Sequence, residues 1–205
     1  MGWLKIKAGL MLGVNNKAIR EEDDFYATDP YAIDKSIRFF EEIGLSDNLW
    51  EPACGYLHLS CRLKDYGYNV VSSDLVKRND YCIKLDFLQS TKMLENSEDI
   101  ITNPPFKLAS DFVKKSMELL NNGRFAVFLL KIQFLETETR AELFKNCGLK
   151  YVGIFSNRIC CAMNGEFDKY FKQDKITGQY RGGTQCYAWF VFQKGYNGEP
   201  VLKFI

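Results

Sequence analysis

One stretch concentrates groups that could do chemistry: Asp99-Ile100-Ile101-Thr102-Asn103-Pro104-Pro105-Phe106. The apolar pair Ile100-Ile101 predicts a buried strand. The strand runs into Asn103, whose side chain offers both a carbonyl acceptor and an amide donor. Two prolines then remove two backbone donors and fix two φ angles, and a residue before proline is pushed towards extended geometry. The carbonyls of Asn103 and Pro104 are therefore held stiffly and kept out of any helix, with the flat face of Phe106 directly behind them. Acceptors beside an aromatic plate suit a planar group that carries an amino substituent. By itself the tetrapeptide is equally a rigid turn after a strand, so the elements around it have to decide.

Those elements alternate. Asp29 and Pro30 predict a helix start, with Ile33, Ile37 and Phe40 on one face and a stop at Gly44. Asn48 to Glu51 reads as a strand, followed by a tight turn at Gly55 and a helix through about Lys64. Asn69 to Asp74 is a second strand with an acid at its end, and Ile83-Lys84-Leu85 leads into a further acid, Asp86. After the strand that ends in Asn103, a helix carrying Leu108, Phe112, Ser116 and Leu119 runs to Asn121-Asn122-Gly123. Arg124 to Leu130 is a strand. Thr139 to Glu142 resembles a capping box opening a helix that stops at Gly148, and Tyr151 to Phe155 is the next strand. Residues 156–185 form a long irregular insertion. Tyr187 to Phe192 is a continuous apolar strand, and Val201 to Ile205 is expected to pair with it through the Asn197-Gly198 turn.

Alternation of strands and helices predicts an α/β fold with a mostly parallel sheet, helices on both faces and an antiparallel C-terminal edge. Gly55, Asp74, Asp86 and Asn103 each follow an apolar run, which places all four at the carboxyl edge of the sheet. In open α/β sheets that edge binds ligands. A glycine turn after one strand and an acid after the next is the arrangement of nucleoside-binding doubly wound folds, where the acid takes ribose hydroxyls. The expected organisation is a leader over residues 1–24 and a single domain over 25–205.

Composition narrows the chemistry. The 205 residues carry a formal net charge of +1, so contact with nucleic acid would have to come from a local patch. Seven cysteines, an odd number without a Cys-x-x-Cys pair, fit reduced thiols in a cytosol better than disulfides or zinc. A single histidine, His58, argues against a metal site or a histidine triad and reads as part of a helix start. The first 20 residues are too short and too charged to span a membrane. The run Arg20 to Asp24 reads as a solvated face.

Taken together, Asp24 to Pro30, Trp50 to Gly55, Val71 to Leu75, Asp86 to Leu88, Ile101 to Phe106, Lys131 to Leu135 and Tyr187 to Phe192 resemble, in this order, the phage-type or prophage-type adenine-specific DNA methyltransferases. Those enzymes have a Rossmann-like fold and use S-adenosyl-L-methionine. The resemblance implies that Phe25, Tyr26 and Thr28 contact the methionine end of the cofactor and that Glu51, Ala53 and Gly55 wrap its ribose and methionine. It implies that Asp74 takes the ribose hydroxyls, that Asp86 and Phe87 flank the adenine, and that Asn103 borders the cofactor as well as the acceptor. Catalysis would then rest on Asn103 and the Pro104 carbonyl gripping the target amino group, with Phe106 stacking on a flipped adenine. Asn-Pro-Pro-aromatic also serves enzymes that methylate RNA adenine or protein glutamine.

The chain departs from the pattern at one place. Such enzymes have a second glycine two positions after the first, and here Leu57 stands there. A leucine is expected to crowd the cofactor or force the turn open, which raises a second reading, a non-catalytic relative with an impaired cofactor turn. The insertion at 156–185 interleaves Arg158, Lys169, Lys172, Lys175 and Arg181 with Phe167, Tyr170, Phe171 and Tyr180. That mixture suits a DNA-facing patch, and an ordinary solvated loop fits it as well.

Overall fold

The computed structural model describes residues 26–205. The leader expected at 1–24 and the contact expected of Phe25 lie outside the described residues. The main sheet has eight strands: β2 (Asn48–Glu51), β3 (Asn69–Asp74), β4 (Ile83–Lys84), β5 (Asp99–Thr102), β6 (Phe125–Lys131), β7 (Leu149–Ile154), β11 (Tyr187–Gln193) and β12 (Val201–Phe204). Their order across the sheet is β12-β7-β11-β6-β5-β2-β3-β4. Seven of the eight run in one direction. β11 alone opposes them, pairing antiparallel with both β6 and β7. The fold is a Rossmann-like α/β fold, as the alternation predicted.

Two of the expectations fail in detail. The antiparallel strand is not at the edge but inside the sheet, and β12 does not pair with β11. It pairs in parallel with β7, Leu202 opposite Val152. The reason lies in β11 itself, whose six residues from Tyr187 to Phe192 are all buried and already bonded on both sides. No edge of β11 is left for the last strand, so it adds to β7.

Side-chain alternation along the strands explains why both faces are covered. Ile101, Val127, Leu129, Trp189 and Val191 point to one face, where Ile33 and Phe40 of α1 (Tyr31–Ile43) and Leu59 and Leu63 of α2 (His58–Asp65) pack on them. Ile100, Ala126, Phe128, Phe190 and Phe192 point to the other, against Phe112, Val113 and Met117 of α3 (Ala109–Leu119) and Leu143 of α4 (Glu138–Cys147). α1 stops at Gly44, which takes the left-handed conformation with φ 73°. α4 opens one residue before the predicted capping box, at Glu138; Thr137 precedes it with φ 88° and makes no side-chain cap.

The insertion at 156–185 is partly ordered. β8 (Cys161–Met163) pairs antiparallel with the short strand β1 (Tyr26–Thr28), a one-turn helix α5 (Phe167–Tyr170) follows, and β9 (Lys172–Gln173) and β10 (Tyr180–Arg181) form a small hairpin. Among the described residues no helix is long and apolar enough to cross a membrane.

Candidate functional site

From β2 the chain builds outward through β3 to β4, then returns to β5 on the other side of β2. Such a reversal leaves a crevice at the carboxyl ends of the strands, where no crossover covers them. A cleft of about 320 Å³ lies there. Of the residues singled out in the sequence, Tyr26, Ala53, Asp74, Asp86, Phe87 and Asn103 line it. Thr28, Glu51, Gly55, Pro104 and Phe106 do not, and each has a different place.

Asn103 is held from behind. Its Nδ2 donates to the Tyr26 carbonyl at 2.8 Å and to Thr28 Oγ1 at 3.1 Å. Thr28 is thus a support for Asn103, not a wall of the cleft. These two bonds fix the amide so that Oδ1 is left over, and Oδ1 is buried without a hydrogen-bond partner. An unpaired buried acceptor is costly, so this oxygen is open to a hydrogen bond from a water or a ligand. Among the described residues no hydrogen bond ends on the Pro104 carbonyl, so two neighbouring acceptors stand available at the end of β5.

Strand β1 reaches this position because β8 pairs with it, Ala27 opposite Ala162. The insertion therefore acts as a strap that carries the anchor of Asn103. Gly165, just past β8, has φ +73°, and a Cβ there would meet the His58 ring at 3.1 Å, so the strap closes tightly over the start of α2.

Asp74 ends β3 and is 8% exposed. Oδ2 accepts from the Gly55 amide at 2.8 Å, and Oδ1 accepts from the Val76 amide at 2.9 Å and from Arg78 Nη1 at 3.0 Å. A carboxylate has about four lone-pair sites, so the Gly55 and Val76 amides and the Arg78 side chain already use three. Gly55 itself stands behind Asp74, positioning it with its amide. Asp86 caps the 3-10 turn at Phe87–Gln89 through Oδ1 and remains exposed. Phe87 is buried against Trp50 and Phe112, with ring centroids 5.2 and 4.8 Å away, so it forms the floor below the cleft.

Glu51 turns away from the cleft. It is 2% exposed, accepts from Ser60 Oγ, and Ser60 Oγ lies 2.6 Å from Ser72 Oγ. Burial is the main cause that pushes its carboxyl up to about 8, partly offset by the Ser60 bonds. A raised, buried carboxyl of this kind favours the neutral acid at the foot of the glycine turn at neutral pH.

Leu57 neither opens the turn nor enters the cleft. It adopts the left-handed backbone itself, φ 68° and ψ 16°, which costs an L-residue about 1–2 kcal/mol. Its side chain is buried on the far side with Cys54 and Cys82, whose sulfurs lie 3.1 Å apart. Burial pushes both thiols up.

The cleft has walls that the motifs did not point to. Leu75 and Val76 on one side and Leu108 on the other are exposed apolar residues that face into it, a pattern suited to a flat ring between them. Arg78 and Lys107 bring two cations to it. The only signal for Leu75 and Val76 was their position straight after Asp74; Arg78 carried none beyond its place four residues on.

Phe106 is not among the residues that line the cleft. Its ring meets Tyr26 at 5.7 Å and Tyr187 at 6.1 Å, both tilted by about a third of a right angle. Lys131 Nζ lies over the Phe106 ring, 4.8 Å from its centroid. The cleft and this aromatic platform adjoin at Tyr26, which lines the cleft, meets the Phe106 ring and accepts from Asn103 through its carbonyl.

No family model and no curated protein matches the chain. Solved structures do. A protein from Listeria monocytogenes described as a class I S-adenosylmethionine-dependent methyltransferase is similar at 13% identity and a TM-score of 0.56, over 93% of this chain and 68% of that one. The type IIG restriction endonuclease BpuSI is similar at 13% identity and a TM-score of 0.52, over 91% of this chain and 27% of that one. The modification subunit of a type I restriction enzyme from Vibrio vulnificus is similar at 12% identity and a TM-score of 0.50, over 88% and 47%. At these identities the likeness is one of fold, the Rossmann-like α/β fold that these proteins share.

Proposed function

We propose that this chain transfers a methyl group from S-adenosylmethionine to an amino nitrogen, with the N6 amino group of adenine in DNA as the acceptor. The observation that carries the reading is Asn103: it lines the cleft, its amide nitrogen is tied to β1, and its carbonyl oxygen is buried and unpaired. The class I methyltransferase fold supports the cofactor. The restriction and modification enzymes among the similar structures, together with the order of motifs in the sequence, support DNA.

The residues present fit the cofactor. The cleft has apolar walls for a ring, Asp74 keeps an acceptor site for a ribose hydroxyl, and Asp86 offers a second, exposed carboxylate. S-adenosylmethionine supplies a methyl on a cationic sulfur, so the acceptor's lone pair displaces a neutral thioether and the extra proton on nitrogen passes to water. What the chain must add is position and electrostatics. Asn103 Oδ1 and the Pro104 carbonyl accept the two hydrogens of the amino group. That turns its lone pair out of the ring plane and stabilises the positive charge that develops on nitrogen. Phe106 stacks on the base, which offsets ~1–3 kcal/mol of the few kcal/mol that flipping it out of a duplex costs.

Asn103→Ala is expected to lower the rate of methyl transfer by at least ~100-fold, the usual effect of losing one preorganised polar group, while the melting temperature moves little. The measurement is incorporation of labelled methyl into adenine-containing DNA by both proteins. Equal rates would remove Asn103 from the site. Incorporation into RNA or protein but not DNA would move the acceptor class.

A further inference from the structure

The platform beside Asn103 contains a cation that nothing so far uses. Lys131 is the last residue of β6, directly opposite Tyr187 of β11. Tyr187 is 7% exposed. Lys131 therefore rises from a rigid strand end beside a fixed ring, and its ammonium comes to rest over Phe106. It forms no ion pair among the described residues. Three N–H donors thus face a π surface, an interaction that contributes only about 0.5–2 kcal/mol.

A partly buried lysine over the ring that is to receive a base is placed for more than capping that ring. The chain leading into Phe106 carries two acceptors without a partner among the described residues, Asn103 Oδ1 and the Pro104 carbonyl, and the Lys131 ammonium brings a donor group to the Phe106 ring. The six-membered edge of adenine carries the complementary pattern: an amino donor pair flanked by ring nitrogens that only accept. Guanine and thymine present a carbonyl oxygen in place of that amino group, which two carbonyl acceptors would repel.

We propose that Lys131 is a substrate-positioning residue: its ammonium leaves the Phe106 face when the base stacks there and donates a hydrogen bond to a ring nitrogen of the acceptor base. This rests on the methyl-transfer reading above and names the second contact by which the same site selects its base. The bond goes to the ring and not to the amino group, where a cation would oppose the charge that develops on nitrogen. Its expected effect is on orientation, so it belongs in kcat as well as KM.

The test compares wild type, Lys131→Met and Lys131→Arg on oligonucleotide duplexes. The single target adenine stands opposite an abasic site, so that pairing energy is equal throughout. The target is adenine or its 1-deaza, 3-deaza or 7-deaza analogue, each of which replaces one ring nitrogen by C–H. With wild type, one of the three analogues is expected to lower kcat/KM about 10-fold, the effect of one bond worth about 1.4 kcal/mol. Lys131→Met should lose a similar factor on adenine and then be indifferent to that analogue, while Lys131→Arg, which keeps a donor, recovers part of the rate. Undiminished transfer by Lys131→Met, or equal losses on all analogues by both proteins, would overturn the assignment. So would loss in Lys131→Met that follows a lowered melting temperature and remains additive with every analogue, since that is the mark of a merely structural lysine. Absence of transfer by wild type to the unmodified duplex would instead sink the methyl-transfer reading, and this inference with it.

Discussion

Glu51 shows what burial does to a group that looks catalytic in sequence. Its carboxyl is enclosed at the end of β2 with Ser60 and Ser72 as its neighbours, and burial raises it to about 8 from an ordinary 4.5. The folded state therefore holds a proton between pH 4.5 and 8 that the unfolded chain has released. Stability from this group is full below pH 4.5, falls as pH rises through 8, and levels off above. Each pH unit of separation corresponds to 1.36 kcal/mol, so the loss is of order a few kcal/mol. Glu51→Gln keeps the shape, is neutral at every pH and should flatten that slope. Denaturant unfolding of both proteins at pH 5.5 and pH 8.5 measures it; parallel losses would show that Glu51 is ionised in the folded protein. Burial likewise raises Asp29 and Asp99, so some slope remains in the variant. The sequence placed Glu51 at the end of a strand, but the serines that enclose its carboxyl come from positions 60 and 72 and carry no local signal.

At the scale of elements, the glycine turn is the instructive case. The departure at Leu57 was legible as a departure, and its left-handed backbone, φ 68°, emerges only in the structure. What sequence could not supply was the direction of the side chain, which depends on Cys82 from a loop 25 residues away folding over Cys54. Replacing Leu57 by glycine has two opposed effects. It relieves about 1 kcal/mol of left-handed backbone strain, and it removes a buried leucine, a truncation that ordinarily costs 2–5 kcal/mol. Burial wins, so Leu57→Gly is expected to be less stable by about 1–3 kcal/mol with little change in affinity for S-adenosylmethionine, because the leucine faces away from the cleft. Calorimetric titration beside thermal unfolding separates the two. A large gain in affinity would mean that the leucine obstructs the cleft after all. The strap formed by β1 and β8 is the element that reading along the chain could least anticipate. Residues 161–163 read as irregular because their partner strand lies more than 130 positions upstream and is three residues long, too short for a periodic signal.

For the molecule as a whole, the mostly parallel α/β sheet and its cover of helices on both faces were legible, because long apolar runs alternate regularly with amphipathic helices. The last strand was not, since choosing between β7 and β11 requires knowing that β11 has no free edge. Charge is the property that remains global. With a net charge of +1, attraction to DNA on the proposed reading must be local, and the folded insertion is less cationic than its composition suggests. Lys169 is bound to Glu166 at 2.6 Å, Arg181 to Asp174 at 2.9 Å, and Arg158 donates to the Thr184 carbonyl at 2.8 Å. Of its five cations, Lys172 and Lys175 are left without such a partner among the described residues. Each phosphate neutralised contributes about 0.9 to the slope of log affinity against log salt. Binding to duplex DNA is thus expected to follow a shallow slope, of magnitude about 2–4, and Lys172→Ala with Lys175→Ala should reduce it by about 2 while leaving the preference for adenine as acceptor intact. Fluorescence anisotropy across a salt series measures the slope. A steep slope that the double variant leaves unchanged would place the DNA-binding surface elsewhere on the molecule and reduce residues 156–185 to the strap that holds Asn103.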